Sequence, residues 1–149
     1  MPAHGTYKSA AVVAATKIPV ETFNRWLDRK VIKLASDDIP GDGRGKPRRF
    51  GMRTITTLAI AHKTSLLGIP ANTAVDLALK FTDSPQHGRP IGGVFPIGLT
   101  YIVATPDGNA SVINVKPEED AATLLQDATI VINVNKIISA INFEIGTIQ

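Results

Sequence analysis

Residues 8–29, KSAAVVAATKIPVETFNRWLDR, predict two short helices joined by a tight turn. The first helix covers residues 8–15, where Ser9 is the expected N-cap before a run of small apolar residues. Pro19 has a pre-set φ and no N–H, so it suits the first turn of a second helix, which we expect over residues 20–29. The apolar residues of this helix recur at three- and four-residue spacing and form one buried face: Phe23, Trp26 and Leu27.

The other face of the second helix is polar and partly basic. It carries Glu21, Asn24, Arg25, Asp28 and Arg29. Two short helices joined by a turn over residues 16–19, the second with polar and basic residues on its free face, are typical of a helix-turn-helix. Many helical hairpins share this pattern, so the prediction of a helix-turn-helix also depends on the sequence that follows.

The segment after the second helix predicts a hairpin with a basic tip. Val31–Leu34 is expected to form one strand and Arg48–Phe50 the returning strand. The residues between them, 37–46, are rich in Gly, Asp and Pro and predict a loop. A basic hairpin directly after a helix-turn-helix is the layout of a wing. The basic residues concerned are Arg44, Lys46, Arg48 and Arg49.

Two further helices are expected next. The first covers residues 52–67, and Gly68 is placed to end it. Pro70 opens the second, which runs to residue 81. Residues 82–96, TDSPQHGRPIGGVFP, are rich in Pro and Gly and predict a linker between two domains.

The last third of the chain changes to a strand-like pattern. Residues 99–104 and 110–115 flank the turn signal Pro106-Asp107-Gly108-Asn109 and predict a hairpin. Residues 118–126 predict a short helix, because acidic residues favour a helix start. Residues 129–134 are β-branched and predict a strand.

Asn135 is the expected N-cap of a final helix with an apolar stripe. The stripe consists of Ile137, Ile138, Ile141 and Ile145. So short a unit has little core of its own, so we expect the stripe to bury itself against a second subunit. The expected fold class is α+β: a winged helix-turn-helix domain with two further helices over 1–81, a linker over 82–96, and a small α+β dimerisation or sensor domain over 97–149.

Charge is distributed unevenly along the chain. The first 63 residues hold 12 Lys and Arg against 5 Asp and Glu, a formal charge of +7. The remaining 86 hold 4 against 8, a charge of −4, which gives the chain its net +3. A basic first half followed by an acidic second half suggests that the first half binds a polyanion.

Composition excludes several classes of protein. The sequence has no cysteine, which removes disulfides and thiolate metal sites. Its longest apolar runs, such as residues 10–15, are too short to span a membrane or to serve as a secretion signal, so we expect a cytoplasmic, nucleoid-associated protein. The histidines, His4, His62 and His87, lie in a tail, a helix and a linker without acidic partners at ligand spacing, so we expect surface or boundary positions, no metal, no cofactor and no enzymatic activity.

The N-terminal half resembles the MerR family of bacterial transcription regulators. The matching segments are VVAATKIPVETFNRWLDRKVIKL (12–34), RRF (48–50) and ITTLAIAHKTSLLGIP (55–70). The family shows a helix-turn-helix, a Gly-Leu-Leu segment, a wing that closes on an Arg-aromatic pair, and a helix ending in a Leu-Gly turn. Lys17 stands where the family's turn has Gly, Asn24 where it has Arg, and the long coiled-coil helix is missing.

The resemblance implies that the second helix enters the major groove of DNA. Thr22 corresponds to the family's phosphate-contacting Thr, and Asn24 and Glu21 have the chemistry to pair with adenine and cytosine. The alternative to base contact is an ion pair between Glu21 and Arg25. The alternative to a DNA-contacting wing is a basic loop in solvent. The expected DNA-binding residues are Lys17, Val20, Glu21, Thr22, Asn24, Arg25, Arg29, Arg44, Lys46, Arg48 and Arg49.

The expected function is that of a sequence-specific transcription regulator. A homodimer would bind a pseudopalindromic site in double-stranded DNA, and we expect a repressor because no activation domain is visible. One alternative is a phage-type architectural protein, excisionase or packaging subunit that brings an enzyme to DNA, which would require a protein partner. Another is a protein-interaction module with an incidental basic face.

Overall fold

The protein, a computed structural model that describes residues 5–41, 45–125 and 127–148, combines α-helices with two small antiparallel sheets. The helices are α1 (Ser9–Thr16), α2 (Val20–Asp28), α3 (Met52–Ser65), α4 (Ala71–Thr82) and α5 (Val134–Ile148). The strands are β1 (Tyr7–Lys8), β2 (Arg49–Phe50), β3 (Leu99–Ala104), β4 (Ala110–Val115) and β5 (Ile130–Asn133), and a short 3₁₀ helix spans Ala121–Leu124. The expected α+β class is confirmed.

The start of α1 is set by a strand rather than by a cap. Ser9 is the first helical residue and not the N-cap; the N-cap position belongs to Lys8, whose side chain makes no capping hydrogen bond. Lys8 also pairs with Arg49 in the sheet formed by β1 and β2. The helix therefore begins at the point where strand pairing ends, which the local sequence does not reveal.

The strand expected over Val31–Leu34 is not formed. Instead, α2 ends in a Schellman turn, in which the Val31 N–H donates to the Trp26 carbonyl at 2.9 Å and the Lys30 N–H to the Leu27 carbonyl at 3.1 Å. Ile32 then fills the core and is 3% exposed. The partner of β2 is β1, from the other end of the domain.

The C-terminal sheet has the order β4-β3-β5, and all its neighbours are antiparallel. The expected hairpin is confirmed, and its turn is held by Asp107, whose carboxylate accepts hydrogen bonds from the Thr105 hydroxyl and the Asn109 N–H. These hydrogen bonds lower the pKa of the Asp107 carboxyl. The helix expected over 118–126 is reduced to the single 3₁₀ turn, which the Asp120 side chain begins by accepting from the Ala122 N–H.

Helix α5 packs onto the N-terminal helices of its own chain. Its cap is Asn133, which accepts from the Lys136 N–H at 3.1 Å, whereas Asn135 lies inside the helix and accepts from the Thr100 N–H. Ile141 and Ile145 are 1% and 4% exposed, and they belong to one core cluster with residues of α1, α3 and β3. The other two residues of the expected dimerisation stripe, Ile137 and Ile138, are half-buried against the same cluster. The stripe is therefore covered within the chain, and the argument that it needs a second subunit no longer holds.

The segment 82–96 connects two parts of one core and is organised around a buried arginine. Arg89 is 7% exposed, and its guanidinium lies over the Phe81 ring, 4.9 Å from the centroid. It donates to the Phe81 and Lys80 carbonyls, both at 3.1 Å, and so satisfies the last turn of α4. A cation is favoured there because the carbonyl ends of a helix are negative.

Candidate nucleic-acid interface

The turn between α1 and α2 is short, and a buried side chain and a backbone hydrogen bond fix its conformation. The Ile18 side chain is 1% exposed and anchors the turn in the core. Lys17 adopts a left-handed conformation, with φ of 61°, and its N–H donates to the Val13 carbonyl at 3.0 Å. Glycine adopts this conformation without steric cost, whereas a residue with a Cβ is disfavoured in it.

Helix α2 divides cleanly into a buried and an exposed face. Phe23 and Trp26 are 1% and 4% exposed, and the Phe23 ring meets the Phe50 ring edge to face at 5.5 Å. The exposed side chains include Val20, Glu21, Asn24, Arg25 and the C-cap Arg29, while Thr22 is half-buried. Among the described residues Arg25 has no ion-pair partner, so the alternative Glu21–Arg25 pair is not formed.

The expected wing is a loop closed by a single pair of residues. Ile39 and Arg49 form an isolated antiparallel bridge, with both N–H groups donating across it at 2.8 Å. Gly41 lies close to the opposite limb, because a Cβ there would approach the Lys46 carbonyl oxygen to 2.6 Å. We call the described residues between the two limbs, 40–41 and 45–48, the closed loop. Its Lys46 and Arg48 are exposed, and Arg44 lies outside the described residues.

A buried carboxylate fastens the base of the closed loop to α3. Asp38 is 7% exposed and accepts hydrogen bonds from the Ala35 N–H at 2.6 Å, the Gly51 N–H at 2.7 Å and the Thr54 hydroxyl. Gly51 is the N-cap of α3 and has no side chain to cap the helix. Asp38 therefore supplies the cap from a distance and places negative charge at the positive end of the helix.

Two of the expected DNA-binding cations form hydrogen bonds or ion pairs with other residues of the chain. The Arg49 guanidinium donates to the Thr6 hydroxyl at 2.9 Å and to the Thr6 carbonyl at 2.7 Å, which joins the two N-terminal strands. The Lys17 ammonium pairs with the Glu144 carboxylate of α5 at 3.0 Å. Arg49 is thus a structural residue of the loop base, and Lys17 is partly neutralised by a helix that is distant in sequence.

The structure adds two cations that the sequence reasoning missed. Lys30 and Lys33 follow α2 directly and are exposed, and neither has an ion-pair partner among the described residues. Lys30 has a φ of 56° at the Schellman position where glycine is preferred. The sequence contains the signal, since both lysines continue the basic run after Arg29, but the composition of residues 31–34 favours a strand.

A cavity of about 390 Å³ lies between residues 30–35, α3 and α4. Its charged lining residues are Lys30, Lys33, Arg53, Asp76 and Asp83. Arg53 and Asp83 pair with each other at 2.9 Å. In the part of the chain that the structure describes, no group of three His, Asp or Glu side chains is placed to hold a metal ion. His62, expected at a surface or boundary position, is buried in α3, and burial together with the charge of Lys63 lowers its pKa.

No protein-family model matches this sequence, and no curated protein sequence matches it either. Over the described ranges, none of the helices is both long and apolar enough to cross a membrane. The MerR resemblance therefore depends on the segments quoted above, and any functional interpretation depends on the surface of α2 and of the residues around it.

Proposed function

We propose that this protein binds double-stranded DNA through a basic face formed by α2, the turn that follows it and the closed loop. The members of this basic face are Arg25, Arg29, Lys30, Lys33, Lys46 and Arg48. The observation that carries the proposal is that all six side chains are exposed and that, among the described residues, none of them is paired with a carboxylate. Unpaired cations are free to displace counterions from phosphates.

The packing of the aromatic residues supports placing α2 and the closed loop together. Phe50 contacts Phe23 of α2, and Arg48 lies only two residues before Phe50. The base of the loop therefore lies beside the second helix, as a loop that contacts DNA next to a groove-bound helix must. Asn24, exposed on the same helix, has an amide that can donate to and accept from adenine in the major groove.

Backbone strain at a surface lysine is consistent with this role. A left-handed conformation costs a residue with a Cβ about 1–2 kcal/mol relative to the right-handed one. Lys30 bears this cost although its side chain packs into no core. A lysine at a position that favours glycine is consistent with a use for its charge.

In this proposal the protein acts as a homodimeric regulator, expected to be a repressor, on a pseudopalindromic site. Selection of bound sequences from random duplexes, followed by fluorescence anisotropy in a salt series, tests it. A dimer that contacts about six phosphates should lose roughly a thousandfold in affinity between 50 and 200 mM salt. A flat salt response, or no retention of duplex DNA, would overturn the proposal in favour of a protein-interaction module.

Variants separate phosphate contacts from base readout. Arg29→Ala and Arg48→Ala should weaken binding to all sequences alike and, because each is present twice in the dimer, each reduce the salt slope by about two. Asn24→Ala should instead relax the preference at one base pair, at a cost of about 1–3 kcal/mol in discrimination. Lys116→Ala, which removes an exposed cation from the acidic half, is the matched control and should leave affinity unchanged. Site-specific binding that required an added ATPase or recombinase would favour the packaging alternative.

A further inference from the structure

The cavity of about 390 Å³ between residues 30–35, α3 and α4 shares two lysines with the basic face. We call it the α3–α4 cavity. Lys30 and Lys33 are part of its wall, and both also belong to the six cations that the proposed function assigns to DNA. A molecule held in the α3–α4 cavity therefore meets charges that DNA would also use.

The wall of the α3–α4 cavity is in large part apolar. Its apolar residues come from the segment after α2 and from α4, and they are Val31, Ile32, Leu34, Ala35, Val75 and Leu79. Ile32 and Val75 are buried, so the core fixes their positions. Sites for small molecules have volumes of about 300–1,000 Å³ and combine an apolar wall with a few polar groups that orient the ligand. The volume and the wall therefore suit a small organic molecule.

The charged groups of the α3–α4 cavity leave an excess of positive charge. Arg53 donates through Nε to the Asp83 carboxylate, and no further hydrogen bond of this guanidinium is formed within the described ranges, so its terminal N–H groups remain available. Lys30 and Lys33 have no ion-pair partner among the described residues, and neither has the exposed Asp76. Because Arg53 and Asp83 neutralise each other, two lysines stand against one aspartate. The free hydrogen-bond donors and the charge both favour an anionic ligand.

We infer that the α3–α4 cavity binds a small amphipathic anion, an organic acid with an apolar body, and that this ligand displaces DNA. The apolar body packs against Val75 and Leu79, and the acid group accepts hydrogen bonds from the lysine ammoniums. A DNA phosphate uses the charge but not the apolar wall, whereas a neutral apolar molecule uses the wall but not the charge. The displacement of DNA rests on the proposed function, while the binding of the anion does not.

The shared lysines make the ligand and DNA competitors. When the two exclude each other, the apparent affinity for DNA falls by the factor 1 + [ligand]/Kd at each cavity. A ligand at about ten times its own Kd therefore weakens DNA binding about tenfold per protomer. Linkage is reciprocal, so DNA lowers the affinity for the ligand by the same factor. A regulator of this kind releases DNA when the acid accumulates.

Fluorescence titration of the full chain with anilinonaphthalene sulfonate, in the absence of DNA, tests the binding site. This probe is an amphipathic anion whose emission rises when its rings leave water. Phenylnaphthylamine has the same rings without the sulfonate and is the neutral comparison. Lys33→Gln should lower the affinity for the anionic probe by about fivefold or more and leave that for the neutral probe unchanged. Lys46→Gln removes an equal charge from the closed loop, outside the cavity, and should change neither. Equal effects of the two substitutions, or no binding of the anionic probe, would overturn the inference.

Two further comparisons test the class of ligand. Asp76→Asn removes a like charge and should raise the affinity for the anionic probe about two- to threefold; a lower affinity would overturn the anionic class in favour of a zwitterion or a cation. Naphthoate should displace the probe and inorganic phosphate should not, because phosphate makes no use of the apolar wall. Equal displacement by both would overturn the amphipathic class.

Fluorescence anisotropy of a labelled duplex in the presence of naphthoate tests the displacement of DNA. At about ten times its Kd, naphthoate should weaken DNA binding about tenfold per protomer. Lys46→Gln should show the same response, although its affinity for DNA without naphthoate is lower. Unchanged DNA binding at saturating naphthoate would overturn the displacement. A protein that binds the anionic probe but no DNA would refute only the proposed function, and one that binds DNA but not the probe would refute only this inference.

Discussion

Replacing Asp38 by alanine should destabilise the protein more than any change to the exposed cations of the basic face. The Asp38 carboxylate is buried and accepts hydrogen bonds from the Ala35 N–H, the Gly51 N–H and the Thr54 hydroxyl. A hydrogen bond to a charged group contributes about 1.5–3 kcal/mol, and a buried donor left without a partner costs a further 1–3 kcal/mol. The contributions are not additive and water enters the space, so we expect a loss of about 3–5 kcal/mol.

Urea denaturation followed by circular dichroism measures this loss as a shift in midpoint at constant slope. Asp37→Ala is the matched control, because Asp37 is the neighbouring carboxylate and is exposed; it should change the free energy of unfolding by less than about 0.5 kcal/mol. Asp38→Asn keeps the shape and should fall between the two. A loss below about 1 kcal/mol for Asp38→Ala would refute the claim that this carboxylate caps α3 and holds the closed loop.

Three further predictions concern backbone strain, the buried cation and pH. Lys30→Gly should stabilise the protein by about 0.5–1 kcal/mol in the same denaturation assay, since relief of the left-handed strain exceeds the entropy gained by the unfolded chain. Lys33→Gly is the control and should not stabilise the protein. Arg89→Lys should cost about 2–4 kcal/mol, because an ammonium cannot reproduce the planar set of hydrogen bonds to the α4 carbonyls; unchanged stability would argue against this anchoring role. Because the pKa of His62 is lowered in the folded state, the unfolded chain takes up a proton at a higher pH than the folded chain does. The free energy of unfolding should therefore decrease as the pH falls from 6.5 through the lower pKa of the folded state. His62→Gln should flatten this dependence, and a variant that keeps the full decrease would contradict the assignment.

The helices and the hairpin could be predicted because their signals are local. Phe23 and Trp26 recur at helical spacing on α2, and the observed helix differs from the expected one only at its last residue. The Pro-Asp-Gly-Asn turn similarly identifies the β3–β4 hairpin. Such patterns depend on the geometry of a few neighbouring residues, so they are present before the chain folds.

The errors concern features that distant residues decide. Val31–Leu34 has the composition of a strand, but β2 pairs with β1, more than 40 residues earlier in the chain, and Ile32 is needed in the core. A similar long-range contact engages Arg49, whose guanidinium donates hydrogen bonds to Thr6, 43 residues earlier in the chain. No local pattern records which of several partners a hydrogen-bonding group will meet.

The sequence alone determined the α+β class, the positions of α1 to α4, the three strands of the second sheet and the concentration of positive charge in the first half. Only the tertiary structure decided that α5 completes the core of its own chain, that Asp38 caps α3, and which side of the second sheet faces that core. Periodicity reports which side of an element is apolar. What that side packs against depends on long-range contacts, whose free energy is gained only when the whole chain is compact.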